Sequence, residues 1–584
     1  MNNFYQRRAR TRIYFLAVLF LLWSGIIILR LIDLQIFKHD LMKKRAINQN
    51  QRIVKIIPKR GFIYDRKGRI LASSVLKDSI YFIPPDGESK ARQLRKIDMI
   101  NQIIRLSDSE LKKIRERINK GKSFIWIKRK VEEEKAREVK RLNINGVYFE
   151  KEYRRFYPQR NLASHVLGGV NIDEHGLNGV EKQYDIQLFG KEGTALFLID
   201  AKRRRYQLKI LKKPIPGKSI MLTIDEIIQY IAEKELENTV KKFEAKSGWL
   251  IIMNPWTGEI LAMANYPSYD PNSYPTNPSL ERNNSIAYIY EPGSTFKIIS
   301  VAAALQEDIV NERDVFDCEN GRIFLAGIKI EDYKRFSLLT LPEIVYYSSN
   351  VGAIKVGLRL GKEKLYKYLK SFGFGERTGI DLPGEENGIL RDIRKWSSIS
   401  VGEISIGYEI GVTAIQMLRA VSAIANGGYL VTPRIVKKII SDNGEESISL
   451  IPPRKILIKD VARKMTQFME GVVEFGTGKK AKIIGYKIAG KTGTTQKLND
   501  LKKYSSDSHI SSFVGFVPAD EPVFSMIVVI NEPKGEYYGG EVAAPCFREV
   551  AKKILRYMKI FPKNDGRKIL KYAIKMNGIL NDET

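Results

Sequence analysis

Tyr290-Glu291-Pro292-Gly293-Ser294-Thr295-Phe296-Lys297 carries a serine that can become a nucleophile with no histidine beside it. Pro292 and Gly293 break the preceding loop and let a helix begin at Ser294, continued by the largely apolar run 298–305. Lys297 lies three residues on, so its amine sits about one turn above the hydroxyl, on the same face and within reach of its proton. A lysine is a base only when neutral, which requires burial or a neighbouring cation. The surrounding domain must therefore enclose this lysine.

The spacing alone is weak evidence, because Ser74 to Lys77 and Ser109 to Lys112 repeat it without the Pro-Gly break. Two later motifs single out Ser294. Ser348-Ser349-Asn350 falls on a polar turn between helix-like segments 341–347 and 351–360. It either caps a helix or offers a hydroxyl and a carboxamide that relay a proton and orient Lys297. Lys491-Thr492-Gly493-Thr494 follows Ile488-Ala489-Gly490 and reads as a strand with a bare backbone, or else as a flexible loop. Gly493 lets a substrate chain lie along the strand edge, while Lys491, Thr492 and Thr494 suit a carboxylate.

Taken in this order, the three motifs resemble those of the class B penicillin-binding proteins, whose wider group carries Ser-x-x-Lys, Ser-Asp-Asn and Lys-Thr-Gly. Ser349 stands where that pattern has Asp, a departure that resembles the septal, cell-division type rather than a lactamase. Arg60 to Ala72, Arg155 to Pro158, His165 to Val170 and Gly176 to Glu181 resemble the family's non-catalytic motifs, and 405–408 with 412–416 resemble a stretch near its site floor. The resemblance implies an α+β multidomain chain. Its expected parts are a cytoplasmic tail at 1–12, a transmembrane anchor at 13–30, an elongated α/β pedestal of the dimerisation type at 31–215, a transpeptidase domain at 216–560 and a short tail at 561–584. The transpeptidase domain is expected to be an antiparallel sheet flanked by helices.

The same resemblance implies a peptidoglycan D,D-transpeptidase that cross-links stem peptides during septal wall synthesis. Ser294 is then the nucleophile, Lys297 the base, Ser348 and Asn350 the relay and amide holder, and Lys491 a cation that helps keep Lys297 neutral. Thr492, Gly493 and Thr494 bind substrate, and the N–H groups of Ser294 and Thr494 form an oxyanion hole. Beta-lactams should acylate Ser294, and Glu403 or Glu409 could deacylate it only if folding brings one of them to the site. No metal or organic cofactor is expected. Expected partners are a multi-spanning glycan polymerase and other division proteins. An elongation-type transpeptidase, a D,D-carboxypeptidase and a catalytically silent scaffold are the alternatives.

Composition bounds these readings. At 584 residues the chain needs two or more folded domains. A formal charge of +32 invites nucleic acid, but the cations are spread along the chain among glutamates and no nucleic-acid motif accompanies them. A basic surface facing anionic lipid or wall polymer fits better. Arg7, Arg8, Arg10 and Arg12 precede an uncharged stretch at 13–29 that spans about 25 Å as a helix and lacks a following cleavage site. An uncleaved anchor with a cytoplasmic N-terminus follows from the positive-inside rule. Cys318 and Cys546 either pair or stay free, and the four histidines lack metal-ligand spacing, so His165 reads as structural.

Overall fold

The computed structural model describes residues 2–199, 205–273, 277–442, 444–498 and 504–562, so most of the expected C-terminal tail lies outside the described residues. The chain divides into two compact units, each drawn from more than one segment. Segments Arg60–Val75 and Tyr153–Phe189 belong with Gly217 onward, whereas Met1–Lys59, Leu76–Glu152 and Gly190–Pro216 form the other unit.

In that other unit the N-terminal helix Asn2–Ile32 contains the uncharged run, and Ala9–Phe37 is long and apolar enough to cross a membrane. Helix Lys90–Ile104 buries Gln93, Ile97, Ile100 and Ile104, the stripe that a 3.6-residue period places on one face. These isoleucines share a core with Ile114 and Ile118 of helix Asp108–Asn119, and with Ile80, Phe82, Ile125 and Ile127 of an antiparallel strand pair. Ser107 closes the second helix in a reciprocal cap with Glu110. The serine-lysine repeat at 109–112 is therefore helix-surface chemistry.

The larger unit is built on a five-stranded antiparallel sheet in the order Ile260–Tyr266, Ser247–Met253, Phe524–Asn531, Tyr504–Val517, Ala489–Leu498. Both faces are buried, which the strands record as continuous apolar runs rather than alternation. Trp249, Ile251, Ile527 and Val529 face one core with helices Lys297–Gln306 and Ala414–Ala425. Leu250, Ile252, Met526 and Val528 face the other, with helices Glu226–Lys242 and Gly539–Tyr557. Asp225 starts the first of these by accepting from the N–H groups of Ile227 (3.1 Å) and Ile228 (3.4 Å). The sheet flanked by helices stands as expected. His165 is buried against the Leu280 carbonyl (2.8 Å), and burial lowers its pKa to about 4. Cys318 and Cys546 are both buried and unpaired.

Three of the non-catalytic motifs converge inside this unit on one carboxylate. Arg60 Nε and Arg155 Nε each donate to Glu181 at 2.6 Å, one to each oxygen, and the Tyr157 hydroxyl donates at 3.2 Å. Arg60 also donates to the Glu174 carbonyl (2.9 Å) and Asp185 (2.6 Å), and Arg155 to the Gly61 carbonyl (2.6 Å). Burial works to raise the Glu181 carboxyl, but the two guanidinium groups outweigh it and hold the pKa below the ordinary carboxylate range. A depressed folded-state pKa contributes stability that is present at neutral pH and is lost as pH falls through that value. Glu181→Gln should therefore cost about 3–5 kcal/mol in urea unfolding at pH 7, because it strands two buried cations. Its deficit against wild type should shrink as the pH drops below about 5.

Candidate active site

Each of the three catalytic motifs ends on a different element of the larger unit. Ser294 sits in a 3-10 turn, Gly293–Phe296, and the α-helix proper starts at Lys297 rather than at the serine. The tighter turn follows from two contacts: the Thr295 hydroxyl donates back to the Pro292 carbonyl (2.8 Å), and the Gly293 N–H donates to Gly407 (3.1 Å). Gly293 has φ +53°, and a Cβ there would lie 2.3 Å from Thr495 Cγ2. Glycine is required at this position on both counts. Ser294 is partly exposed, whereas Lys297 is fully buried.

The amine of Lys297 reaches the second motif. It donates to the Ser348 carbonyl at 2.5 Å and Asn350 Oδ1 at 2.7 Å, and lies 3.3 Å from Ser348 Oγ. Ser348 adopts φ +59°, a left-handed conformation that turns both its carbonyl and its hydroxyl toward the lysine. From the opposite side Lys491 Nζ approaches Ser348 Oγ at 2.8 Å and donates to the Thr492 carbonyl at 3.2 Å. Ser348 Oγ thus bridges two buried lysines. Burial lowers the pKa of Lys297 to about 7, with Asp332 opposing the shift. Burial first, and then the proximity of Lys297, take Lys491 well below the ordinary lysine range. A neutral Lys297 has two N–H groups for the carbonyl and carboxamide, which leaves its lone pair for a hydroxyl proton. No side-chain hydrogen bond joins Ser294 to Lys297 among the described residues.

Lys491, Thr492, Gly493 and Thr494 lie on the edge strand Ala489–Leu498, in register with Val514, Phe513, Ser512 and Ser511. The Thr492 hydroxyl pairs with that of Thr477 at 2.7 Å, and Thr494 Oγ1 accepts from the Gly539 N–H at 2.9 Å. A hydroxyl that accepts a backbone N–H keeps its own proton to donate. A Cβ at Gly493 would lie 2.9 Å from Thr295 Cγ2 and 3.0 Å from the Pro292 carbonyl, so the bare backbone allows the serine turn to pack on this strand. Glu403 and Glu409 are not hydrogen-bonded to the lysine cluster among the described residues. Glu409 pairs with Arg391 and its N–H donates to Glu291 at 3.0 Å, while burial and the nearby Glu409 and Glu291 raise the Glu403 carboxyl.

Sequence reasoning missed Asp332. Its carboxylate accepts from the Ser349 hydroxyl (2.7 Å) and from the N–H groups of Asn350 and Val351 (3.1 Å for the latter). Nothing in its local sequence marks it; the fold brings it to Ser349 from the end of the hairpin Arg322–Leu325 and Ile328–Glu331.

Residues 248–552 match the family described as penicillin binding protein transpeptidase domain, and residues 55–222 match the penicillin-binding protein dimerisation domain. The chain belongs to the class B penicillin-binding proteins. Stage V sporulation protein D of Bacillus subtilis is 36% identical over 567 residues, covering 94% of this chain and 86% of that protein. Peptidoglycan D,D-transpeptidase FtsI of Escherichia coli K12 is 33% identical over 569 residues, covering 95% and 94%. A solved structure of penicillin binding protein 3 from Mycobacterium tuberculosis, complexed with aztreonam, superposes with a TM-score of 0.69 at 25% identity, covering 88% of this chain and 98% of that one. The two-domain penicillin-binding protein fold follows, as does binding of peptidoglycan and beta-lactams as a family property.

The steric demand at Gly293 is directly testable. Gly293→Ala should slow acylation by a fluorescent penicillin at least about tenfold, because the added methyl displaces the serine turn from the strand. The melting temperature should fall by only a few degrees, roughly the cost of one strained residue.

Proposed function

We infer that this penicillin-binding protein is a membrane-anchored peptidoglycan D,D-transpeptidase of the septal type, working through an acyl-enzyme on Ser294. The observation that carries this reading is the bridge of Ser348 Oγ between Lys297 and Lys491, which ties all three motifs together around one neutralised amine. Ser294 Oγ attacks the penultimate carbonyl of a D-alanyl-D-alanine end as its proton passes to Lys297 Nζ. The N–H groups of Ser294 and Thr494 receive the developing oxyanion. The C–N bond then breaks, and the proton moves from Lys297 through Ser348 Oγ to the departing D-alanine amine. An amine of a neighbouring stem peptide attacks the ester, forms the cross-link and restores the serine proton by the reverse route. Asn350 holds the substrate amide as well as the lysine.

Substrate charge adds a switch to this chemistry. The donor's terminal carboxylate docks beside Lys491, Thr492 and Thr494, and its negative charge draws a proton onto Lys491. A charged Lys491 disfavours a second positive charge on Lys297, so substrate binding favours the basic form of the catalytic amine. Gly493 leaves the strand edge free for the donor backbone.

Residues 1–12 are read as cytoplasmic, 13–30 as the anchor, 31–215 as the pedestal, 216–560 as the exported transpeptidase domain and 561–584 as a short C-terminal tail. The basic leader before the uncharged run and the apolar helix Ala9–Phe37 support this orientation. Similarity to FtsI supports the septal role, and a multi-spanning glycan polymerase is the partner that this reading expects.

Mass spectrometry after incubation with penicillin tests the chemistry. One adduct per chain on the peptide containing Ser294, lost in Ser294→Ala, is expected, and folded wild type that forms no adduct overturns the reading. The acylation rate should rise with pH through a single ionisation near 7, where Lys297 loses its proton, and level off above it.

A further inference from the structure

The smaller unit holds a cavity that the catalytic chemistry does not use. It measures about 470 Å³ and opens between helix Asp108–Asn119 and strand Ile125–Val131, the last strand of its sheet. Lys113, Arg117 and Lys120 follow the helical repeat, so they stand on one side of the helix, and Lys122 comes just beyond its end. All four side chains are exposed, and none forms an ion pair or hydrogen bond among the described residues. Neighbouring charges are already engaged: Glu110 takes Lys128 and bonds Ser107 in its cap, and Arg115 pairs with Asp98 at 2.9 Å. Glu116 is left as the one uncommitted acid on the wall against four cations. Like charges four apart weaken a helix, and the dipole of the last turn compensates only for Arg117 and Lys120. Trp126 lines the same cavity, half-buried. Phe124 and Tyr81 meet it edge-on, with ring centroids 5.2 and 5.6 Å away, and the Arg129 guanidinium lies over the ring at 5.6 Å. Glu152 holds Arg129 in turn, at 3.0 Å. The indole is therefore fixed in place, and its N–H has no partner among the described residues.

We propose that this cavity is a second, non-catalytic binding site for peptidoglycan, taking an uncross-linked glycan strand by the carboxylates of its stem peptides. Lys113, Arg117, Lys120 and Lys122 pair with the carboxylates. Trp126 packs against a sugar ring, whose C–H groups suit an aromatic surface, and donates from its N–H. The identity of the polymer rests on the reading of the chain as a wall transpeptidase, whereas the preference for an anion stands on the cavity itself. A bilayer fits less well. Surfaces that lie on lipid present exposed apolar side chains among their cations, but Ile114 and Ile127 on this wall are each only 4% exposed. A recess between a helix and a strand also admits a single chain more readily than a flat sheet of headgroups. No bond forms or breaks at this site. Its effect is on concentration, because a polymer held at a second point returns its stem peptides to the reaction more often than one held only there.

The test uses the full-length chain in detergent micelles, acylated beforehand with penicillin so that Ser294 is occupied, and soluble end-labelled glycan strands whose binding is read by fluorescence anisotropy. Intact strands should bind saturably, and the affinity should fall at least about tenfold between about 50 and 300 mM salt. Arg117→Glu combined with Lys120→Glu should weaken binding about tenfold or more at low salt. Its thermal melt and its rate of penicillin acylation should match wild type, because both side chains are exposed and belong to the other unit. Glu116→Gln removes the opposing acid and should tighten binding about twofold to threefold, a gain that a misfolded variant cannot produce. Strands stripped of their stem peptides by an amidase should bind at least about tenfold more weakly than intact ones. The proposal is overturned if intact strands do not bind the acylated protein, if stripped strands or polyglutamate bind as tightly as intact ones, or if the double variant binds strands unchanged. Phosphatidylglycerol vesicles that bind in place of strands, and lose that binding in the double variant, overturn it in favour of a lipid surface. An adduct without strand binding removes this inference alone. If the wild type forms no penicillin adduct, the transpeptidase reading fails and the assignment of the strand falls with it.

Discussion

Two lysine amines share one serine hydroxyl in a pocket closed to solvent, and both cannot carry a charge there. That constraint organises the larger unit. A lysine buried beside another cation is basic at neutral pH, whereas the same residue on a surface is an inert ammonium. The geometry that creates the constraint comes from three places far apart in the chain. One amine arises at the first residue of a helix, the other on an edge strand, and the hydroxyl between them belongs to a residue held in a left-handed conformation. Each of these is unfavourable alone, and they persist because the surrounding elements leave no alternative.

The five-stranded sheet is what allows such a pocket to exist. Its faces are covered by two separate helical layers, so the Lys297 helix lies wholly within apolar packing and the amine emerges only at its end. Burial of long apolar side chains on both faces stabilises the domain, and part of that stability is spent on desolvating two lysines and straining Ser348. The Arg60, Arg155 and Glu181 network plays a parallel part away from the chemistry. It fastens segments 60–75 and 153–189, which are remote in sequence, to each other within the larger unit.

Much of this was legible from residue types at fixed spacings. Pro292-Gly293 announced the turn into the Lys297 helix, and Lys491-Thr492-Gly493-Thr494 announced an extended strand. These are local features, and local physics governs them. Less legible were the contacts made across long separations. Asp332 sits in an ordinary charged turn with no periodicity, and only the folded hairpin brings it to Ser349, 17 positions on. The 3-10 start of the serine helix depends on Gly407, which no helix-start rule contains. The partners of the Thr492 and Thr494 hydroxyls, Thr477 and Gly539, arrive from other elements for the same reason. The grouping of 60–75 with the sheet of the larger unit was not legible in the sequence, because a chain can cross between compact units more than once.

The edge position of the Ala489–Leu498 strand carries a further implication for solubility. A strand whose outer backbone groups are left unpaired is a template for any other extended chain, including another copy of itself, and exposed edges of this kind promote aggregation. Proteins usually blunt them with proline, bulges or a covering loop. Here the Ser294 turn packs against the strand at Gly493 and Thr495, narrowing what can approach. A single extended peptide is a narrower visitor than the rim of a folded sheet, so the recess that shapes catalysis also protects the protein from self-association.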